Sequence, residues 1–597
     1  MKKTDKIEIK YPNYHLRFSP VFNQFRVYST LSDNFYYWMS LFSRVDKVGA
    51  VDISLEIPKI KVLSQKKEEL RLSITTKSNL WKKKETFYTF RPDGFECHIR
   101  VKGKGVIDRV YFFMGMLRDM VIGSIPGFDY YSPCCPNFLG KKHFSPDEYF
   151  SINVGLETTY WGPALNSGPF LYTFFKEGIK QCFSAGLIAK REENIFQCFD
   201  FNHKPKEVLD IHSNIVNTQS FSLGYFGNLK IDGEWESPHL VFQFGKNKND
   251  CLKKYCQLLE SRSAIPQAKK SRMYKWWKKP IFCGWHEQVA IGKKKEEKGL
   301  SKEELEADEY IMDECTQKNH EEWLGIMLKN KIPIGTVIID AKWQKKLATF
   351  EADKGKWPDM RGFIDGCHQK GIKVLLWIQA WSKEGLVKRE CIQKEGVSVS
   401  MDPTFPEYQK KLEQGIEYML SAAPDCLNAD GLKIDGTATI PVGYKIKTYL
   451  DMYGFKLQHY YLSVIYRKAK SIKKDALISV YIANPYFRDV CDMVRLGDLY
   501  SVYGRPIDTL KERAEVVKIS MKNKLIDTDG NFRFSMEDNF LKELDEQVKI
   551  GIPTIYQAKN LIHRRTFNSP VFRTFRTADY KKIKEVLDIY IHATMRK

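Results

Sequence analysis

Two aspartates end short apolar segments and are placed to act as a catalytic pair. Asp435 closes the segment DGLKID, and Asp498 closes the segment DMVRLGD. Aspartate in such a place is also common as a turn former or helix cap, so neither residue is diagnostic alone. Lys433 precedes Asp435 by two residues and shares its strand face, where its charge would keep Asp435 ionised. Asp435 is therefore predicted to be a nucleophile and Asp498 an acid, with Arg495 binding substrate or orienting that acid.

The residue types near these aspartates indicate a carbohydrate site. Indole rings stack on the apolar faces of sugars, while carboxylates and cations bond their hydroxyl groups. The candidates for substrate binding are Trp285, Asp340, Trp343, Trp377, Trp381, Lys433 and Arg495. His286 and Glu287 directly follow the first of these and are weaker candidates. Cleavage of a glycosidic bond takes two carboxyl groups on opposite sides of it, and Asp435 with Asp498 fits that requirement.

The second half of the chain has the alternation needed to bring these residues together. From residue 280 onward, short apolar strands alternate with longer amphipathic helices, which predicts a parallel sheet covered by helices. The eight predicted strands are 280–285, 335–340, 372–379, 430–435, 476–482, 492–498, 523–528 and 551–556. The helices between them are predicted at 302–330, 359–370, 405–421, 447–471, 507–521 and 537–549. Eight such units predict an α/β fold of the (β/α)8 TIM-barrel type, whose functional residues lie at the C-terminal ends of the strands.

The first half has a different residue pattern: short runs of alternating β-branched and aromatic residues are interrupted by Gly, Pro, Asn and Asp. This pattern predicts a large antiparallel β-sandwich. A helical pattern follows in DCLKKYCQLLESR. We therefore predict an N-terminal β-domain at 1–248, a linker helix at 249–275 and a catalytic barrel at 276–597.

Several motifs of the predicted barrel resemble a known enzyme group. IIDAKWQ, KWPDMRGFIDGCHQKGIKVLLWIQAW, MDPTFPEY and GLKID are similar to the catalytic barrel of retaining α-glycosidases of the α-galactosidase superfamily, glycoside hydrolase families 36 and 27 (clan D), and more distantly family 31. GEWESPHLVFQFGKNKNDCLKKYCQLLESR resembles the end of the β-supersandwich and the linker helix of family 36.

The resemblance implies a role for each matching residue. It implies that Asp435 is the nucleophile, that Lys433 contacts sugar hydroxyls, and that Asp340 binds the terminal sugar. Trp285 matches an aromatic residue near the start of the barrel, and Asp498 in VRLGD occupies the place of the acid/base. The rival acid Asp492 begins its strand instead of ending it.

The resemblance implies an exo-acting α-glycoside hydrolase of α-galactosidase type that needs no metal or organic cofactor. The fifth predicted strand is followed by YIANPYF in place of the cysteine and glycine motif of family 36, which leaves other sugars open. α-Glucosidase, α-N-acetylgalactosaminidase and α-transglycosylase activities remain alternatives. A carbohydrate-binding protein with an inactive barrel is the alternative outside catalysis.

The charge composition limits the kinds of partner that we expect. The 95 basic and 73 acidic residues give a net charge of +22, but lysines are spread along the chain and mixed with glutamates. We therefore expect no nucleic-acid partner, although an acidic substrate stays open.

The 13 cysteines lack paired spacing, which favours reduced thiols over disulfides or a structural metal. No leader or membrane segment is recognised, so we expect a cytoplasmic protein that binds a glycoside or oligosaccharide, in an oligomeric state left open.

Overall fold

The computed structural model describes most of the chain. The described residues are 7–20, 23–30, 35–113, 116–117, 120–121, 129–131, 170–175, 181–204, 218–268, 272–296, 309–437, 439–497, 506–530, 539–566 and 569–595. None of the eleven cysteines among them forms a disulfide. Within the same residues, no helix combines the length and the apolar character that crossing a bilayer takes.

The N-terminal half is an antiparallel β-domain, as predicted. Its strands are β1 (Glu8–Lys10), β2 (Tyr14–Ser19), β3 (Gln24–Ser29), β4 (Phe35–Ser40), β5 (Arg44–Lys47), β6 (Lys59–Lys66), β7 (Glu69–Thr76), β8 (Lys83–Arg91), β9 (Gly94–Phe112), β10 (Met116–Leu117), β11 (Met120–Val121), β12 (Asp129–Tyr131), β13 (Leu171–Phe175), β14 (Cys182–Ile188), β15 (Cys198–Lys204), β16 (Thr218–Glu236) and β17 (His239–Gly245). β1 to β4 form one sheet, and an eleven-stranded sheet contains β9 at its centre. Buried rings join the two sheets: Tyr14 stacks on Phe244 at 4.8 Å, and Phe25 meets Phe90 at 5.6 Å.

Thirteen strands follow in the second half, most of them parallel. They are β18 (Ile281–Cys283), β19 (Thr336–Ile339), β20 (Lys373–Gln379), β21 (Cys391–Lys394), β22 (Val397–Met401), β23 (Gly431–Asp435), β24 (Ile446–Lys447), β25 (Leu477–Val480), β26 (Met493–Arg495), β27 (Leu525–Asp527), β28 (Thr554–Ile555), β29 (Asn560–Thr566) and β30 (Ser569–Thr574). Eight of these pair in the order β27-β26-β25-β23-β20-β19-β18-β28. The Ile552 N–H donates to the Ile526 carbonyl at 2.8 Å, and a parallel bridge joins Asp527 to Ile552. The eight predicted strands are therefore confirmed, and they close into a TIM barrel.

Helices surround this barrel and connect it to the β-domain. They are α1 (Lys248–Ser261), α2 (Trp285–Glu296), α3 (Glu309–Met312), α4 (Gln317–Lys329), α5 (Met360–Gln369), α6 (Pro406–Leu420), α7 (Gly454–Ile472), α8 (Pro506–Ser520), α9 (Asn539–Ile550) and α10 (Thr577–Met595). α1 falls where the linker helix is predicted, and Asn247 caps it by accepting from the Asp250 N–H at 3.0 Å. Glu260 near its end binds Arg488 and Lys522 of the barrel. The division into domains stays a prediction.

One helix begins later than its pattern predicts. The prediction starts at residue 447, whereas α7 begins at Gly454, because β24 pairs with β21 in a small sheet outside the barrel. Gly454 adopts φ +55°, and a Cβ there would lie 1.9 Å from the Phe196 carbonyl oxygen. The close approach of the N-terminal domain thus sets the start of this helix.

The N-terminal domain also contacts the loop that follows β23. The Gly443 N–H donates to Gln197 Oε1 at 2.6 Å, and Asn228 Nδ2 donates to the Gly443 carbonyl at 3.4 Å. The Tyr444 hydroxyl donates to Asp108 Oδ1 at 2.7 Å. The first domain therefore holds one of the loops at the C-terminal rim of the barrel, where the candidate site lies.

Candidate active site

Asp435 is the last residue of β23 and lies at the barrel mouth. Its Oδ1 accepts from Arg495 Nη2 at 3.0 Å and from the Gly436 N–H at 3.0 Å, and its Oδ2 accepts from Trp377 Nε1 at 3.1 Å. The side chain is still 38% exposed. Burial raises the pKa of Asp435, but the charges of Arg495 and Lys433 outweigh burial and hold that pKa below its usual value. Asp435 is thus an ionised, oriented and accessible carboxylate.

Arg495 connects this carboxylate to a second acid that the sequence analysis missed. Its other terminal nitrogen, Nη1, lies 3.4 Å from Asp529 Oδ2, and its guanidinium sits 5.6 Å from the Tyr481 ring centre. The Tyr556 hydroxyl donates to Asp529 Oδ1. Arg495 and Asp529 are almost fully buried. Arg495 thus pairs with two carboxylates, and the prediction that it binds substrate or orients Asp498 stays a prediction.

Asp527 is a further buried acid at the end of β27. It accepts hydrogen bonds from the Thr554 hydroxyl and the Asp529 N–H. Burial and the neighbouring Asp529 charge raise the pKa of Asp527 to about 6. The missed signal was the carboxylate pair in IDTD, at the end of the seventh predicted strand, together with Tyr556, the last residue of the eighth.

Lys433 has a different partner from the one predicted. Its Nζ donates to Asp340 Oδ2 at 2.6 Å, across the barrel interior, and Asp340 also accepts from the Cys283 thiol at 3.1 Å. The prediction that Lys433 favours ionisation of Asp435 holds only as a longer-range effect, because Arg495 makes the direct contact. Asp340 raises the pKa of Lys433 although burial opposes it, so this pair is a fixed ion pair.

The four predicted tryptophans differ in how they are placed. Trp377 is 5% exposed and donates to Asp435, so it belongs to the rim. Trp381 is equally buried and donates to the Thr437 carbonyl at 2.8 Å, which supports the loop after β23. Trp285 begins α2 and is partly exposed. Trp343 has no exposed surface, so its position does not support the predicted contact with substrate.

Trp343 instead supports the rim from behind. Its Nε1 donates to the Trp377 carbonyl at 2.8 Å.

His286 and Glu287, also considered for substrate contact, are enclosed as well. Glu287 accepts from three successive N–H groups at 558–560, and the His286 ring is 2.8 Å from Gln557 Nε2. These two residues anchor the chain that leaves β28.

Asp498 lies outside the described residues, so its role stays a prediction. The described residues before it end at Gly497, which adopts φ +80°. A Cβ at this position would lie 1.8 Å from the Tyr481 hydroxyl oxygen, so the close approach of that ring requires glycine. The rival Asp492 lies at the opposite end of β26. It accepts from Tyr466 at 3.0 Å and Lys470 at 2.7 Å, which is a structural arrangement away from the mouth.

Comparisons with known proteins agree with this fold. Residues 308–467 match the family described as "Glycosyl hydrolases family 31 TIM-barrel domain", a match that includes Asp340, Lys433 and Asp435. A search of curated proteins found no match. The expected placement in family 36 is not confirmed, since the family that matches is the one expected to be the more distant relative.

Two solved structures are similar over nearly the whole chain. One is the α-N-acetylgalactosaminidase NagBb from Bifidobacterium bifidum in a GalNAc complex, with 9% identity and a TM-score of 0.59, covering 99% of this chain and 93% of that one. The other is a family 31 sulfoquinovosidase from E. rectale with an aza-sugar inhibitor, with 12% identity, a TM-score of 0.52 and coverage of 98% and 82%. At such identities these structures show the fold alone. Together with the family match, the TIM barrel supports a glycoside hydrolase.

Proposed function

We propose that the protein is a retaining, exo-acting α-glycoside hydrolase of α-galactosidase type. The observation that carries this proposal is Asp435, an accessible carboxylate that three donors orient and two cations keep ionised at the barrel mouth. A nucleophile at a sugar's anomeric carbon has these properties. The motifs from IIDAKWQ to GLKID support the α-configured sugar.

The reaction is a double displacement. An Asp435 carboxylate oxygen attacks the anomeric carbon while Asp498 gives its proton to the departing glycosidic oxygen, which leaves as an alcohol. Asp498, now a carboxylate, then takes a proton from water as the water oxygen attacks the same carbon. The bond to Asp435 breaks, and the sugar leaves with its original configuration. Contact with its hydroxyl groups is the role that the resemblance implies for Lys433 and Asp340.

The stereochemistry of the first product tests the proposal. We expect 4-nitrophenyl α-galactoside to be cleaved and proton NMR to detect the α-anomer of the free sugar before mutarotation. Parallel assays with α-glucoside, α-N-acetylgalactosaminide and the β-galactoside separate the sugar from the linkage. A β-anomer as first product would exclude retention, and binding of α-glycosides without any turnover would establish the inactive-barrel alternative.

Asp498 is tested through its dependence on the leaving group. An acid matters only when the departing oxygen needs a proton, so Asp498→Ala should lower kcat/KM about 10²-fold on an alkyl glycoside. The same variant should stay close to the wild-type kcat/KM on a dinitrophenyl glycoside. Asp508→Ala, which removes an exposed carboxylate of α8, is the matched control. An equal loss on both substrates would assign the acid to another residue.

A further inference from the structure

Three metal-ligating side chains meet on the outer face of the N-terminal sheet, away from the barrel mouth. His98 lies on β9, Glu236 ends β16 and His239 begins β17. The register pairs Glu236 with Arg100 and Leu240 with Cys97, which places position 239 beside position 98. Because Cys97 and Ile99 point into the core, His98 points outward. The three side chains retain between 16% and 38% exposure.

The distances among these side chains suit one small cation. Glu236 Oε1 lies 3.5 Å from His98 Nε2 and 3.4 Å from His239 Nε2. One possible ligand atom from each residue lies within 4.8 Å of the others. Zn²⁺ binds nitrogen and oxygen at about 2.0–2.1 Å, which separates its tetrahedral ligands by about 3.3–3.4 Å. The two distances from Glu236 Oε1 to the histidine nitrogens are therefore already close to the ligand separations of a zinc site.

Neighbouring charges orient the candidate ligand atoms toward one another, and a metal would replace the hydrogen bond of 3.4 Å between His239 Nε2 and Glu236 Oε1. Arg100 binds the other Glu236 oxygen, Oε2, at 2.8 Å, so Oε1 faces the two imidazoles. His239 Nδ1 faces Glu96 Oε2 at 3.5 Å and makes no hydrogen bond within the described residues. Arg262 holds that Glu96 oxygen at 2.6 Å. In metal sites, a carboxylate behind a histidine commonly accepts the ring N–H that faces away from the metal, and Glu96 would take that role once the His239 ring turns to bind the ion.

The imidazoles need a small adjustment to share one ion. Their rings are stacked, with centres 4.3 Å apart and planes inclined by 17°, so their lone pairs run side by side. The torsion that turns a histidine ring is soft. Because Phe87 also stacks on the His98 ring, at 5.0 Å, the adjustment falls mainly to His239, whose rotation can turn its Nε2 toward the other two ligand atoms.

We propose that His98, Glu236 and His239 bind a divalent transition-metal ion of the Zn²⁺ class, with water in the fourth position. The ion would link β17 to β9 and β16 and stabilise the N-terminal sheet, with no part in the reaction at the barrel. The arginines beside the carboxylates oppose added positive charge, so we expect micromolar affinity. This site departs from the expectation, based on cysteine spacing, that the chain holds no structural metal.

Metal titration of the EDTA-treated full-length protein tests the site. We expect one equivalent of Zn²⁺ by calorimetry and, with Co²⁺, the visible absorption of a four-coordinate ion. His98→Ala and His239→Ala should each weaken Zn²⁺ binding about 100-fold, and Glu236→Gln about 10-fold. Zn²⁺ should raise the melting temperature of the wild type and leave that of the histidine variants unchanged.

The controls separate this site from other binding. His592→Ala removes an exposed histidine of α10 and should bind Zn²⁺ like the wild type, while Mg²⁺ should give no calorimetric signal. Circular dichroism checks that each variant is folded, and His98→Gln replaces His98→Ala if the latter is not. Wild-type Zn²⁺ affinity in folded variants at positions 98 and 239, or no Zn²⁺ binding by the wild type, would overturn the proposal.

Discussion

Asp435→Asn is expected to lower turnover of an α-glycoside by about 10⁴-fold or more, because the amide cannot form the glycosyl ester. The fold should survive, since the side chain keeps its size. One cost follows from the contacts: the new NH2 group must face either Trp377 Nε1 or Arg495, both of them donors. Such a mismatch costs about 1–3 kcal/mol. Steady-state kinetics and thermal melting measure the two effects separately.

Chemical rescue distinguishes a nucleophile from a residue that only maintains the site. In Asp435→Gly, azide should enter the vacated space and displace the leaving group directly, giving a β-glycosyl azide from an α-glycoside. Asp425→Asn, which changes an exposed aspartate ahead of β23, should keep wild-type kinetics. Near-wild-type turnover in the Asp435→Asn variant would remove Asp435 from the mechanism, and recovery of the α-azide would argue for a different nucleophile.

The barrel was predictable because its strands are buried on both faces. Segments such as IKVLLWIQ and ALISVYI are nearly continuous apolar runs between amphipathic helices, and each is a strand of the closed sheet. The order of such strands follows from the architecture, so the rim position of Asp435 could be predicted without contacts. The start of α7 could not be predicted, since it depends on two tertiary contacts: the pairing of β24 with β21 and the close approach of the Phe196 carbonyl to Gly454.

Partners across the barrel were less accessible to sequence reasoning. Strand periodicity places Lys433 and Asp435 on one face, but it does not tell which neighbour a long side chain reaches. Lys433 extends past β20 to Asp340, the residue that directly follows β19, which leaves Arg495 as the direct partner of Asp435. The position of a side chain beyond the end of a strand is also hard to predict when the following turn folds back. Trp343 was predicted to contact substrate because it follows the second strand, but it is enclosed.

Sites formed by side chains on paired antiparallel strands are even harder to predict from the sequence. Glu236 and His98 are far apart in sequence and meet only because β16 and β17 both pair with β9. The weak pattern of β27 similarly concealed Asp527 and Asp529, because that strand has only three residues. Contacts that depend on register or on strand closure therefore required the structure.

Arg495→Met is expected to lower kcat/KM by about 10³-fold near neutral pH, because the substitution removes the charge that orients Asp435. The variant also leaves buried Asp529 facing Asp435 without a cation between them. The pKa of Asp435 should then rise from its lowered value. Since only the ionised carboxylate attacks, the acidic limb of the kcat/KM profile should move to higher pH, by about 1–3 pH units.

Arg495→Lys separates charge from geometry in the same position. The ammonium keeps a positive charge beside Asp435 but cannot span both carboxylates, because it lacks the two terminal nitrogens of Arg495. The acidic limb should therefore stay close to that of the wild type while kcat falls. Arg467→Met, at an exposed arginine of α7, is the control and should leave the profile unchanged. An unshifted limb in folded Arg495→Met would show that Lys433 alone keeps Asp435 ionised, and the bridge to Asp529 would then serve stability instead of catalysis.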